Sequence, residues 1–466
     1  MPRLLLPNPP RPPQRRTPLV ALAAATTLVC GMTGMTGSAQ AQSLQTLYDA
    51  ARAYDAAYQS ARSLADSTVF RAEQSRALMR PVLNATGTLA EGRSDSPSVL
   101  ADAMSTGRSG QRTVALTGQM PLFNRANEKT IRQSERGIEV ARAQLQAAEQ
   151  DLIVRVVQAY FDVLAASDAL GTVRASKAAI AEQLASAKRN FEVGTATITD
   201  TREAQARYDL ATAQELAAEN DLNVKRLALE GVSGQQGLAP KPMAVPVVLP
   251  KLVPADVEAW VAEADAASPA LQQLRLAREV ARLETEKARA AGLPTVGVSA
   301  SLSEAHSSLS STTLGRTASG SGFGPSASVS LQLTMPLYTG GLVQNRIKET
   351  LALEDKAQTD LEAARRNTAQ GTRSAFFGVR SLTAQVTALE AAESSSKLAL
   401  EATQLGYKVG VRVNLDVLNA QTQLYQAQRD LAKARYDVVI NSLKLRQVTG
   451  GLQPQDVNAV DALLAR

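Results

Sequence analysis

Tyr407-Lys408-Val409-Gly410-Val411-Arg412-Val413-Asn414-Leu415-Asp416-Val417-Leu418-Asn419-Ala420 is the stretch that decides the fold. A glycine ends one long helical pattern, and an aspartate six residues later opens another, which is the signature of a tight helix-turn-helix. The same landmarks occur earlier as Phe191-Glu192-Val193-Gly194 followed by Asp200, and Ala204-Gln205 then matches Ala420-Gln421. Working outward, Ala159-Tyr160-Phe161 recurs as Ala375-Phe376-Phe377, and Met120-Pro121-Leu122-Phe123 as Met335-Pro336-Leu337-Tyr338. The offsets are 215 to 216 residues and the order is kept, so the chain is read as two copies of one plan.

Each copy reads as helix, strand, loop, strand, very long helix, tight turn, helix. The first long helix is expected from about Ala126 to Val193 without a proline, roughly 100 Å at about 1.5 Å per residue. Along it Ile131, Ile138, Leu145, Leu152, Ala159, Ala166, Val173, Ile180 and Ala187 keep strict seven-residue spacing, the coiled-coil period. After the second turn the same spacing is shared by Leu418, Tyr425, Ala432 and Val439, and by Leu424, Leu431, Val438 and Leu445. Tyr160, Phe161, Phe376 and Phe377 fall where these rods must pack and are expected to be structural.

The strands alternate apolar with small uncharged residues. Leu83, Ala85 and Leu89 interleave with Asn84, Thr86 and Thr88, and Val114, Leu116 and Met120 with Thr113, Thr117 and Gln119. Val296, Val298, Ala300 and Leu302 interleave with Gly297, Ser299 and Ser301, and Ala327, Val329, Leu331, Leu333 and Met335 with serines, Gln332 and Thr334. Such segments, at about ten residues, suit membrane-spanning strands with lipid on one face and a wet lumen on the other. Polar Gly/Ser-rich loops are expected at about 91–111 and 304–324, with His306 solvated in the second. Four strands cannot close a barrel, so oligomerisation follows.

Composition excludes much else. One histidine, one cysteine (Cys30) and one tryptophan among 466 residues remove Ser/His/Asp triads, Cys/His pairs and zinc sites, and no metal or cofactor is expected. Carboxylates that could serve a glycosidase are spread over long polar faces rather than clustered. The net charge of +6 is concentrated at the amino terminus: without Arg3, Arg11, Arg15 and Arg16, 46 basic residues face 44 acidic ones, which does not support a nucleic-acid binder. Those arginines precede an apolar run from Leu19 to Val29 and then Ala39-Gln40-Ala41, the order of a secretory signal peptide cleaved before Gln42. Cys30 falls in the discarded part, so no lipid anchor is expected.

The organisation resembles the TolC outer-membrane factor family over nearly all of the mature chain, most specifically in the Val-Gly-x-x-x-x-x-Asp turns and the Met-Pro-Leu-aromatic strand ends. The resemblance implies a mainly α fold with a β-barrel segment. In it a homotrimer closes a 12-stranded barrel in outer-membrane lipid, continuous with a long α-helical barrel across the periplasm. Expected boundaries are residues 1–41 for the signal peptide, 42–234 for the first repeat, 235–265 for a Pro-rich connector, 266–450 for the second repeat and 451–466 for the tail. Implied partners are a periplasmic adaptor and an inner-membrane ABC or proton-driven transporter, because the chain has no nucleotide-binding glycine loop of its own. The function implied is an exit duct for secreted protein or small toxic compounds with an iris-like periplasmic gate. A periplasmic adaptor is the alternative, although it would carry one hairpin and no duplicated strands.

Carried over by position, the gate residues are Thr199 and Asp200 in the first tip and Tyr407 and Arg412 in the second. Asp416 and Asn419 fall at the constriction, where the family carries two aspartates; Asn419 leaves the second ring uncharged. Read without the resemblance, Asp200 and Asp416 are helix N-caps, and Gly194 and Gly410 helix C-caps.

Overall fold

The computed structural model describes residues 43–98, 103–195, 197–244, 246–250 and 252–465. The expected leader at 1–41, with Cys30, lies outside the described residues. Two short helices, α1 (Leu44–Tyr54) and α2 (Ala56–Arg76), meet at Asp55, whose carboxylate accepts from the Tyr58 amide and caps α2. A hairpin of β1 (Val82–Ser98) and β2 (Ala103–Phe123) leads into α3 (Arg125–Glu192), of 68 residues. A turn then gives α4 (Ile198–Ser233), and the proline-rich connector leads to α5 (Val257–Ala267) and α6 (Pro269–Ala290). The second copy continues with β3 (Thr295–Thr313), β4 (Arg316–Thr334), α7 (Leu342–Lys408, 67 residues), α8 (Asn414–Thr449) and a short α9 (Pro454–Asp461). No helix among the described residues is long and apolar enough to cross a membrane.

Each long helix is flanked by two shorter ones in succession. Next to the sheet α3 packs on α2 and α6, and beyond them on α4 and α8; α7 packs on α6 and then on α8. The seven-residue seam accounts for this. Leu152, Ala166, Ile180 and Ala187 are buried, as are Leu418, Val439, Leu424, Leu431, Val438 and Leu445. The largest core gathers at mid-helix, where Tyr48 of α1, Tyr160 and Phe161 of α3, and Tyr436 and Val439 of α8 meet Val457 of α9. Tyr160 and Phe161 are fully buried and meet edge to face, each contributing about 2 to 3 kcal/mol through burial. The duplicated positions are not equivalent: Phe376 is buried against Trp260, whereas Phe377 is exposed. The connector and the tail pair with each other, through the Ala244 amide on the Leu463 carbonyl and the Ala465 amide on the Pro242 carbonyl.

The four strands form one antiparallel sheet in the order β1-β2-β3-β4, so the β2–β3 pair joins the two halves. Register aligns the apolar residues into rows on one face. Met120, Val298 and Leu331 share a row; the next are Leu83-Gly118-Ala300-Val329 and Ala85-Leu116-Leu302-Ala327. From Leu333 to Phe323 the rows run ten residues up β4, about 34 Å at about 3.4 Å per residue and roughly 25 Å at a 40° tilt, the height of a barrel's apolar band. These side chains are open, Val329 at 79% and Leu83 at 73%, in an environment that water would make unfavourable.

Two sequence expectations are corrected here. The segments 91–111 and 304–324 are not loops: apart from the undescribed 99–102, they continue the strands, which run 17 to 21 residues, and β3 turns into β4 through Leu314 and Gly315 alone. Both turn residues take positive φ (54° and 78°), the geometry of a two-residue hairpin. Serine and glycine read as loop formers by propensity, yet here the ladder satisfies their backbone and serines pair across it. His306 is accordingly a strand residue, half-buried with its ring 4.3 Å from that of Phe323.

Candidate functional site

The two helix-turn-helix tips are built alike. Gly194 and Gly410 both take φ of 80°, each just past the cap residue, Val193 or Val409. The Thr195 amide bonds the Asn190 carbonyl, and the Val411 amide the Gly406 carbonyl, so both turns close by the same two-bond stop that leaves glycine in the left-handed position. Gly406 has a second role: a Cβ there would lie 2.8 Å from Arg412 Cγ, so its absence lets Arg412 fold back over the turn.

Neither aspartate is an N-cap. Thr197 caps α4, and Asp200 stands one turn inside, accepting from the Thr197 amide (3.0 Å) and hydroxyl (2.7 Å) while its own amide donates to Thr197 Oγ1 (3.2 Å). That reciprocal pair is a capping box. In α8 the cap position is Val413, which has no side-chain bond to offer, and Asp416 lies three residues in, paired with Arg412 at 3.6 Å. A carboxylate in the first turn serves the helix dipole from either position, and an aspartate just before an apolar pattern cannot be placed to one turn by sequence.

Within one chain the tips meet through a small core and polar links, among whose residues Gln183, Asn190 and Arg207 were not singled out from sequence. Ile180, Leu184 and Ala187 of α3, Ala204 and Ala211 of α4, and Leu418 of α8 form one small core that seats the second hairpin on the first. Around it Asn190 Nδ2 donates to Tyr407 Oη at 3.2 Å, Gln183 bonds Asn414, and Arg207 Nη2 donates to Asn419 Oδ1 at 3.0 Å. Tyr407 therefore bonds Asn190 inside the chain, and no bond joins it to Asp200 there among the described residues. Thr199 is exposed, and Arg412 reaches Asp416 rather than the first tip. A signal was available: Arg207 is seven residues beyond Asp200, and Gln183 and Asn190 are seven apart, so each falls on a stripe beside the apolar seam.

The sheet's other face is the candidate passage wall. Ser299–Ser330 (2.7 Å), Ser301–Ser328 (2.8 Å) and Ser303–Ser326 (2.8 Å) stack as cross-strand hydroxyl pairs, with Asn84, Thr86, Thr117 and Gln119 on the same face of the neighbouring strands. Among the described residues Arg316, at the hairpin, is the one charge on this face. Below the sheet, Glu284 of α6 binds α3 and α7 together, accepting from Gln133 (2.9 Å), Arg346 (2.8 Å) and Lys287 (3.2 Å). Its partial burial favours the neutral acid, but these three donors outweigh that and hold the carboxyl down at about 2.

A four-stranded sheet with its apolar face outward, carried on paired helices of nearly seventy residues, defines an outer-membrane channel whose barrel continues into a helical tunnel. The description "Outer membrane efflux protein" names the family whose model matches residues 47–235 and 260–451, and the chain belongs to that family. It is 32% identical to Outer membrane protein TolC of Vibrio cholerae over 422 residues, which cover 91% of this chain and 94% of that one. It is 34% identical to Alkaline protease secretion protein AprF of Pseudomonas aeruginosa over 351 residues, 74% of this chain and 71% of that one. Among solved structures the outer membrane protein VceC of Vibrio cholerae superposes with a TM-score of 0.72 at 18% identity, covering 88% and 96% of the two chains. The chain is an outer-membrane exit duct extending into the periplasm, and not a periplasmic adaptor.

Proposed function

We propose that three copies close one twelve-stranded barrel and that the duct passes exported protein from an inner-membrane transporter, through a periplasmic adaptor, to the exterior. The observation that carries this reading is the sheet itself. Its edge strands β1 and β4 pair on one side only, with β2 and β3, and leave their outer edges open while the apolar face is bare, which supports closure by strands from other copies. The relatives include one named for protease secretion and one named for efflux, and what supports protein as the cargo is the wall of paired hydroxyls with almost no charge, which suits a long, chemically varied polypeptide.

The gate is proposed at the tips. Thr199 and Asp200 of one hairpin, with Tyr407 and Arg412 of a neighbouring one, form links between copies that add to the Asn190–Tyr407 bond within each. Each such polar link is worth about 0.5 to 1.5 kcal/mol, and three-fold symmetry multiplies it. Asp416 forms a ring at the constriction with Asn419 beside it. Arg412→Ser with Tyr407→Phe biases the tips outward and raises single-channel conductance in planar bilayers, while Asp416→Ala changes ion selectivity without that rise. A double variant with wild-type conductance would remove these residues from the gate.

A further inference from the structure

The sheet face that carries the apolar rows continues past them. Above the row of Leu89, Arg112, His306 and Phe323, the next two same-face rows bring Glu91 beside Gly110 and then Arg93 beside Arg108. Arg93 and Arg108 are direct cross-strand partners, and like charges so placed repel. Asp95 offsets Arg93 only loosely, at 3.7 Å. Arg108 and Arg112 are exposed and make no hydrogen bond or ion pair among the described residues. They flank Gly110, which carries no side chain between them; a Cβ there would come within 2.8 Å of Ser308 Oγ. The result is a cleft of about 670 Å³ with Arg93 and Arg108 at its rim and the hydroxyls of Ser310 and Ser319 across from them. On the same face, eight residues lower along β2, a second cleft of about 300 Å³ is lined by Leu116, Leu302 and Val329. Those eight residues span about 27 Å of strand, or roughly 20 Å along a tilted barrel's axis, a little more than one leaflet of a hydrocarbon core about 30 Å thick.

We propose that this face holds one phosphorylated amphiphile of the outer leaflet, its phosphates on Arg108 and Arg112 and its acyl chains along the apolar cleft below. The proposal rests on the outer-membrane reading of the fold. Guanidinium groups pair phosphates through two parallel hydrogen bonds, and an anion on Arg108 offsets its repulsion with Arg93 across the ladder. Among the described residues Glu91 and Asp95 on β1 and Glu304 on β3 are the carboxylates of this face and flank β2 from both sides, so the anion is confined to β2, where two unpaired cations lie with no side chain between them. A zwitterionic head brings one phosphate and a cation of its own, and so matches the two arginines less well than two phosphates do, and a free anion would leave the apolar cleft unused.

The test is native mass spectrometry of the intact assembly released from detergent micelles, with bisphosphorylated lipid A, phosphatidylcholine or inorganic phosphate added in turn. Lipid A is expected to saturate at one molecule per chain and to bind at least about tenfold more tightly than phosphatidylcholine, a difference of about 1.4 kcal/mol. Arg108→Ser with Arg112→Ser should lose that preference, Arg108→Lys with Arg112→Lys should keep most of it, and Arg316→Ser, which removes a charge from the opposite face, should leave it unchanged. Equal binding of phosphatidylcholine by the unaltered protein, equal loss in Arg316→Ser, or phosphate alone binding as tightly as lipid A would each overturn the proposal. If the protein were absent from outer-membrane fractions, the membrane reading would fail by a separate measurement.

Discussion

Placing an arginine at Val329 tests which face of the sheet meets lipid. Val329 shares a row with Leu83, Gly118 and Ala300, is 79% exposed in the single chain, and lies next to the middle of the ten-residue apolar run from Leu333 to Phe323. A charge at a barrel's midplane costs about 2 to 4 kcal/mol, so Val329→Arg should destabilise a three-copy assembly by about 6 to 12 kcal/mol. Leu331→Arg sits one row, about 7 Å of strand, nearer the periplasmic edge. Its guanidinium can reach the interface, and the cost should fall to about 1 to 3 kcal/mol per chain. Ser330→Arg points to the other face and forfeits chiefly the 2.7 Å bond to Ser299, about 1 kcal/mol. Guanidinium titration of protein refolded into phospholipid vesicles measures all three. The expected order of loss is Val329, then Leu331, then Ser330; Ser330→Arg as damaging as Val329→Arg would show that the assigned facing is wrong.

Glycine position should matter through what surrounds it: Gly450 (φ 81°) abuts the Ala267 backbone, so Gly450→Ala should lower the thermal midpoint sharply, whereas Gly410→Ala, in open space at φ 80°, should cost only about 1 kcal/mol. Glu284, held at about 2 against an ordinary value of 4.5, stabilises the fold fully above pH about 5 and loses that contribution as pH falls toward 2. The amount is about 2 to 3 kcal/mol, so urea midpoints should drop over that window in the native protein and drop less in Glu284→Gln. Tyr407→Phe alone should loosen the tips by about 1 kcal/mol through the lost Asn190 bond, read as faster amide exchange at residues 186–195 with conductance changed little.

The long helices and their turns were legible because they repeat. Seven-residue spacing over nearly seventy residues leaves one seam for burial, and glycine at 194 and 410 ends each helix where only a left-handed residue fits. Strand facing was legible as well, since alternation of Val329 and Leu331 with Ser328 and Ser330 admits one register with a wet side and an apolar side. Strand length was not. The described parts of 91–111 and 304–324 are rich in serine, threonine and glycine, whose local preferences favour turns, and what keeps them extended is pairing across the ladder. At the tips, resemblance pointed to Tyr407 and Arg412, but their partners within the chain, Asn190 and Asp416, follow from how the helices and the turn over Gly406 pack. Arg207 escaped notice because its bond to Asn419 joins α4 to α8, 212 residues apart.

The number of chains around the duct decides whether the barrel closes. Four strands per chain, open at β1 and β4, allow a barrel only through shared closure. Native mass measurement of protein extracted from outer membranes should therefore give three chains per particle, held together until the barrel unfolds. A membrane-inserted particle of one chain, conducting ions on its own, would contradict it.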